Sequence, residues 1–191
     1  LDFKRVNPLL DFFYPMVGIG DQSVIFGKYE PAGNEFTSTG YIPSLRIAQN
    51  TWRNVDLFTN IDQGTFITRF QSDSMTLGEQ FSLVDQQFYF QASRDTAKLN
   101  ITWNNRREPL YRGDINLFGS FMADSMQERI FNLRVQPATL TVDDEKWNIK
   151  GSTVMLKESC VHVDSFIIES RNEYLLADGT ISSGTDDQFD L

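Results

Sequence analysis

The side chains able to do bond-making chemistry are few. The chain holds one His and one Cys, His162 and Cys160, two positions apart. In an extended strand that spacing puts both on one face, but a nucleophile and its base must meet in space with a third group orienting the base. A structural zinc site needs about four Cys/His ligands, so one of each is too few, and a disulfide within the chain is ruled out. The plain alternative is a polar His on the wet face of a half-buried strand. A glycosidase would need two carboxylates about 5 to 10 Å apart, but the clusters Asp143-Asp144-Glu145 and Asp186-Asp187 are turn-like stretches in which solvated charge is the ordinary role. We therefore expect no catalytic residues, no metal and no cofactor, and read the chain as a non-enzyme.

Other function classes are restricted by charge. Seventeen Lys plus Arg stand against 26 Asp plus Glu, a formal net charge of -9 that repels a phosphate backbone; the nearest thing to a basic patch is Arg106-Arg107, so no nucleic-acid partner is expected. No apolar run approaches the roughly 18 to 20 residues of a membrane-spanning helix, and the first residues carry no signal-peptide pattern. Trp52, Trp103 and Trp147 raise carbohydrate stacking on a β-sandwich as one class of binding. Trp103 and Trp147 fall in phase with apolar neighbours, which points them inward.

The elements that must position these side chains are strands. Asn7-Pro8 ahead of Leu9-Leu10-Asp11-Phe12-Phe13 has an N-cap residue followed by Pro, which predicts a short helix, and Pro15 with Gly18-Ile19-Gly20 ends it. That helix would cap one end of the fold or protect a sheet edge. Beyond it the period is two. Ala97, Leu99, Ile101 and Trp103 share one face while Lys98, Asn100, Thr102 and Asn104 share the other. The same alternation runs through Phe88/Phe90, Ile115/Leu117/Phe121, Leu133/Val135, Leu140/Val142, Trp147/Ile149 and Val161/Val163. Residues 31–34, 104–107, 143–146 and 170–173 read as hairpin tips. About a dozen mostly antiparallel strands follow, and with no linker or low-complexity stretch we expect a single domain over 1–191. A loose echo, Gly40-Tyr41-Ile42, Gly113-Asp114-Ile115 and Gly179-Thr180-Ile181, suggests a reused hairpin unit.

An ordered succession in the second half is more specific. Residues 114–121 read Asp-Ile-Asn-Leu-Phe-Gly-Ser-Phe; a strand, Pro137, a second strand, an acidic turn and Trp147 heading a third strand follow. Then come Phe166 in an apolar strand, a turn, and Asp178-Gly179-Thr180-Ile181-Ser182, before the stretch from Asp187 to Leu191. This order resembles the C-terminal region of the TamB translocation and assembly module family, related to AsmA-like and bridge-like lipid-transfer proteins. The match is carried by residues 97–191; before that, Gly40 to Ser44 and Val55 to Phe58 fit loosely.

The resemblance implies an all-β fold: a curved, mostly antiparallel amphipathic sheet, a half-pipe or taco-like groove, here with a short N-terminal helix. It implies a fragment of a larger cell-envelope protein in the periplasm, anchored in the inner membrane by a segment outside this chain. The expected role is to shield phospholipid acyl chains between the inner and outer membranes, in lipid transport and outer-membrane biogenesis. Expected partners are phospholipid, an outer-membrane barrel-assembly protein and neighbouring segments of the same chain. The expected lipid-binding residues are the apolar faces of the clearest strands: Leu99, Ile101, Trp103, Ile115, Leu117, Leu133, Val135, Leu140, Val142, Ile149, Val161 and Val163. Periodicity alone leaves three ways to cover such a face, a second sheet, a closed barrel or a lipid-filled trough. Two other functions stay open: an assembly or chaperone module that accepts strands of outer-membrane β-barrel proteins, and a carbohydrate-binding β-sandwich.

Overall fold

The computed structural model describes residues 2–3, 12, 14–78, 81–123, 129–158, 160–171, 173–182 and 188–190. They form sixteen strands, β1(Asp2–Phe3), β2(Val17–Ile19), β3(Ser23–Glu30), β4(Glu35–Ile47), β5(Asn50–Asp62), β6(Thr65–Leu77), β7(Phe81–Ser93), β8(Thr96–Asn104), β9(Arg112–Ala123), β10(Arg129–Val135), β11(Ala138–Val142), β12(Glu145–Ile149), β13(Ser152–Leu156), β14(Cys160–Ser170), β15(Glu173–Ser182) and β16(Gln188–Asp190). The fold is all-β, with the strands in one large antiparallel sheet. The expected helix over 7–13 lies, apart from helical Phe12, outside the described residues. Of the four expected hairpin tips, 31–34 lies between β3 and β4, whereas 104–107, 143–146 and 170–173 each include residues of a neighbouring strand. The three Gly-x-Ile copies occupy unlike places, the middle of β4, the start of β9 and the end of β15, so they do not mark one repeated position.

The chain divides into two compact units, Leu1–Gln91 with Thr102–Asn105, and Ala92–Ile101 with Arg106–Leu191. In the first, β3 to β6 are successive antiparallel neighbours joined by short turns. The β5–β6 turn is Gln63-Gly64 with both residues left-handed (φ 46 and 75), the two-residue turn whose twist matches that of its strands. In the second unit, β10 and β13 pair, β11 and β12 pair, and the register is the same on both sides of the breaks at Gln136-Pro137 and Lys150-Gly151: Val135 faces Ser152 and Ala138 faces Ile149. They are one long hairpin creased across its middle. Pro137 has no N–H to give the ladder, and the flanking amides are satisfied sideways, Gln136 N donating to Asn116 O and Lys150 N to Ile167 O, both at 2.9 Å. The hairpin tip, Asp143-Asp144, is again left-handed at both residues. It docks through Asp144, whose Oδ1 accepts from Leu110 N at 2.8 Å.

Each unit has a line at which alternation slips by one. In β5 the left-handed residue is Asn54 (φ 50), in β14 it is Ser165 (φ 49). Asn54 Nδ2 donates to Asp73 Oδ2 at 2.7 Å, and its Oδ1 accepts from Tyr41 Oη at 3.0 Å. Around Ser165 the β14–β15 register shifts between Val163 and Phe166, a β-bulge. Asp178 Oδ2 takes both Ser165 N (3.0 Å) and Ser165 Oγ (2.8 Å), so the extra residue does not leave an orphan donor. The slip keeps apolar residues on one face. Trp52 and Val55 are three apart, yet Trp52 meets the ring of Phe70, which shares its face with Leu57 and Val55. Val163 and Phe166, also three apart, flank the bulge in the same way.

Candidate functional site

In both units the cross-strand register sorts side chains into an apolar and a polar face. In the second unit Gly119, Leu133, Val154, Val163 and Gly179 stand in one row across β9, β10, β13, β14 and β15. The next row on that face is Phe121, Phe131, Leu156, Val161 and Ile181. Leu117 faces Val135. Past the crease Ala138, Ile149, Ile168 and Leu175 form another row, with Leu140 opposite Trp147 beside it. The opposite face carries Asn132, Met155, His162 and Thr180 in one row and Arg134, Thr153 and Asp164 in another. On β8 and β9 that polar face is tied together by Asn100 Nδ2, which donates to Asp114 Oδ1 (2.6 Å) and Asn116 Oδ1 (2.9 Å). Leu99, Ile101, Ile115 and Leu117 alternate with those residues and so point the other way.

The first unit repeats the pattern with aromatics. Leu57 faces Phe70, which meets Phe88 edge to face at 5.5 Å; Ile61 faces Phe66, which meets Phe90 at 5.9 Å. The row Ile42, Val55, Ser72 is the best covered, with Val55 fully buried. Ser72 Oγ donates to Gln86 Oε1 at 3.3 Å, a polar pair set into an apolar face. Three features on the other face are polar or mixed: Thr37–Asn60, Tyr41–Asn54–Asp73, and Arg69 over the rings of Phe58 and Tyr89.

The apolar faces are wide and thinly covered. Among the described residues the buried hydrophobic side chains are Ile42 and Val55 in the first unit and Ile130, Val135 and Ile149 in the second. A face packed under a second layer buries far more of its residues than that. Here most apolar side chains are half-buried.

Of the twelve residues expected from the sequence, Val135 and Ile149 are buried, and Leu99, Ile101, Trp103, Ile115, Leu117, Leu133, Leu140, Val161 and Val163 are half-buried within strands. Val142 stands apart, exposed beside the hairpin tip opposite Glu145. Its neighbour Thr141 is the covered one, where β11 meets Arg112 of β9. Sequence alternation missed Phe131, Val154, Leu156 and Ile168, which share rows with expected residues, and it missed Phe166 beside the bulge and Phe66 and Phe70 of β6.

Three of the groups first considered for chemistry, His162, Asp144 and Glu145, are engaged in structure. His162 Nδ1 pairs with Thr180 Oγ1 at 2.9 Å. Glu145 Oε1 accepts from Ser170 Oγ at 2.9 Å and lies 3.5 Å from Arg171 Nε. Asp186-Asp187 lies outside the described residues. No group of three or more potential metal ligands occurs among the described residues, and no helix there is long and apolar enough to cross a membrane. None of the three Trp side chains is exposed, and the indole N–H of Trp52 is enclosed. In comparisons with known proteins, no family model, no curated protein and no solved structure matches this chain.

Proposed function

We propose that the chain is a lipid-shielding β-sheet segment of a periplasmic envelope protein that carries phospholipid acyl chains between the inner and outer membranes. The observation that carries the reading is the pair of apolar faces, in register across five strands in the second unit and across four in the first, where Ile25, Gly40, Leu57 and Phe70 form one row, with five buried hydrophobic residues among those described. An antiparallel sheet with one apolar face needs a cover for it. Acyl chains fit that need because the attraction is non-directional, about 0.8 kcal/mol per buried methylene, and lets cargo slide without breaking specific bonds. The opposite face, with its Asn, Thr, Arg and Asp side chains, suits water. The resemblance of residues 97–191 to the TamB family supports the same role and the envelope location.

The test is lipid uptake. The 191-residue chain is incubated with vesicles containing fluorescent phosphatidylethanolamine, separated by gel filtration, and its bound lipid counted. Saturable uptake is expected, lost in Val154→Glu/Val163→Glu, which charges one apolar row, and retained in Asn132→Glu on the polar face. Absence of uptake, or equal loss in both variants, would refute the reading.

A further inference from the structure

On the polar face of the first unit, between two ridges of side chains, lies a depression of about 470 Å³. One ridge is Val24, Tyr41, Asp56 and Gln71; the other is Phe26, Thr39, Phe58 and Arg69; each crosses β3, β4, β5 and β6 in register. The floor between them is backbone at Gly40 and Leu57, since the intervening side chains point to the apolar face. The trough therefore runs across three inter-strand spacings, about 14 Å. Its polarity is graded. The β3 end is hydrocarbon, with Val24 half-buried and the Phe26 ring 67% exposed; the β5–β6 end is polar and carries one charge of each sign, Asp56 and Arg69.

The Arg69 guanidinium is already placed. It sits 5.7 Å from the centroid of Phe58 and 5.8 Å from that of Tyr89, which restricts its rotamers while leaving its N–H fork unspent. Among the described residues neither Arg69 nor Asp56 makes a hydrogen bond or ion pair with another side chain. Asp56 faces Gln71 and Phe58 faces Arg69, so the two charges are diagonal neighbours held apart, not a closed pair. A held cation, a nearby open carboxylate and an apolar end, set along a trough about 14 Å long, complement one kind of molecule.

We propose that this trough binds a zwitterionic single-chain amphiphile: its phosphate or carboxylate on Arg69, its ammonium on Asp56, its hydrocarbon on Phe58, Val24 and Phe26. The site lies on the face opposite the acyl-shielding rows, and the inference does not depend on the function proposed above.

The test uses the whole chain and monomeric lauroyl lysophosphatidylethanolamine, below its micelle-forming concentration, with intermolecular NMR contacts between the probe's alkyl chain and phenylalanine rings. Contacts to Phe26 and Phe58 are expected. Arg69→Gln should weaken binding about tenfold or more, and Arg69→Lys, which keeps the charge but not the fork, by less. Phe26→Ser, at a ring too exposed to hold the fold, should weaken it several-fold. Asp56→Asn should reduce the preference for this probe over dodecyl phosphate. Contacts confined to Phe70 and Phe88 with indifference to Arg69→Gln would overturn the proposal while agreeing with lipid on the apolar face. Absence of saturable binding would overturn it as well. Contacts at Phe26 and Phe58 together with failed vesicle uptake would uphold it and reject the groove.

Discussion

At Gly119 on the apolar face of the second unit there is no room for a side chain, which gives a sharp prediction. Leu133 stands directly opposite Gly119, while the ring of Phe131, two residues before it, leans across the space a side chain at 119 would fill. A Cβ there would lie 2.5 Å from Phe131 Cζ and 2.7 Å from Cε2, whereas ordinary contact begins near 3.4 Å. The ring must move by roughly 1 Å, and it cannot do so freely because it packs at 4.6 Å against Phe121. Overpacking of this kind costs about 1–3 kcal/mol, and Gly→Ala returns about 0.4–1 kcal/mol by stiffening the unfolded chain. Gly119→Ala should therefore destabilise by about 1–2 kcal/mol. The cause is separable. In a Phe131→Leu background the obstructing ring is gone, and Gly119→Ala should cost about zero or stabilise slightly. Urea unfolding of the four proteins, followed by circular dichroism at a common slope, gives the coupling energy. An equal cost in both backgrounds would mean that the strain is not between these two residues, and the reasoning fails.

Three further perturbations test other joints of the fold. Val55→Ala, at a fully buried position in the first unit, should cost about 2–3 kcal/mol by urea unfolding, from lost transfer energy plus a cavity; under 1 kcal/mol would mean the row is not packed as described. Asp178→Ala should cost about 1 kcal/mol, small because Ser165 is exposed and water replaces its partner, and should raise hydrogen exchange at the Ser165 amide while Asp178→Asn keeps most of the protection. Gln63→Asn, which puts Asn-Gly where both turn residues are left-handed, should stabilise by about 0.5 kcal/mol; a loss would contradict the turn assignment.

Strand identity was legible in the sequence wherever alternation was strict. Leu99/Ile101/Trp103 against Asn100/Thr102/Asn104 needed no structure to assign faces, because period two follows from backbone geometry. Turn chemistry marked the hairpins for the same reason, as at Asp143-Asp144. What alternation could not carry was the step of three. Val163 to Phe166, Val135 to Ala138, and Trp52 to Val55 look out of phase, yet the bulge at Ser165, the break at Pro137 and the left-handed Asn54 each absorb the additional residue. The usable signal was a Ser, Pro or Asn lying inside each three-residue step, since these residues tolerate a left-handed turn or interrupt the ladder. Val142 shows the opposite error: it alternates correctly with Leu140, but it lies at a hairpin end, where a strand runs out of neighbours to cover it. The charged trough on the polar face was not legible, because its ridges are assembled from four strands and only register brings Asp56, Phe58 and Arg69 together.

The central claim, that acyl chains cover the apolar face, is tested most directly by site-specific photo-crosslinking in cells producing the full-length protein. Probes go at Ile101, Leu117 and Leu133 on the apolar face and at their sequence neighbours Asn100, Asn116 and Asn132 on the polar face, so that each pair controls for expression and location. Phospholipid adducts confined to the first three are the predicted result. Adducts on both sets, on the polar set alone, or on neither would contradict the account.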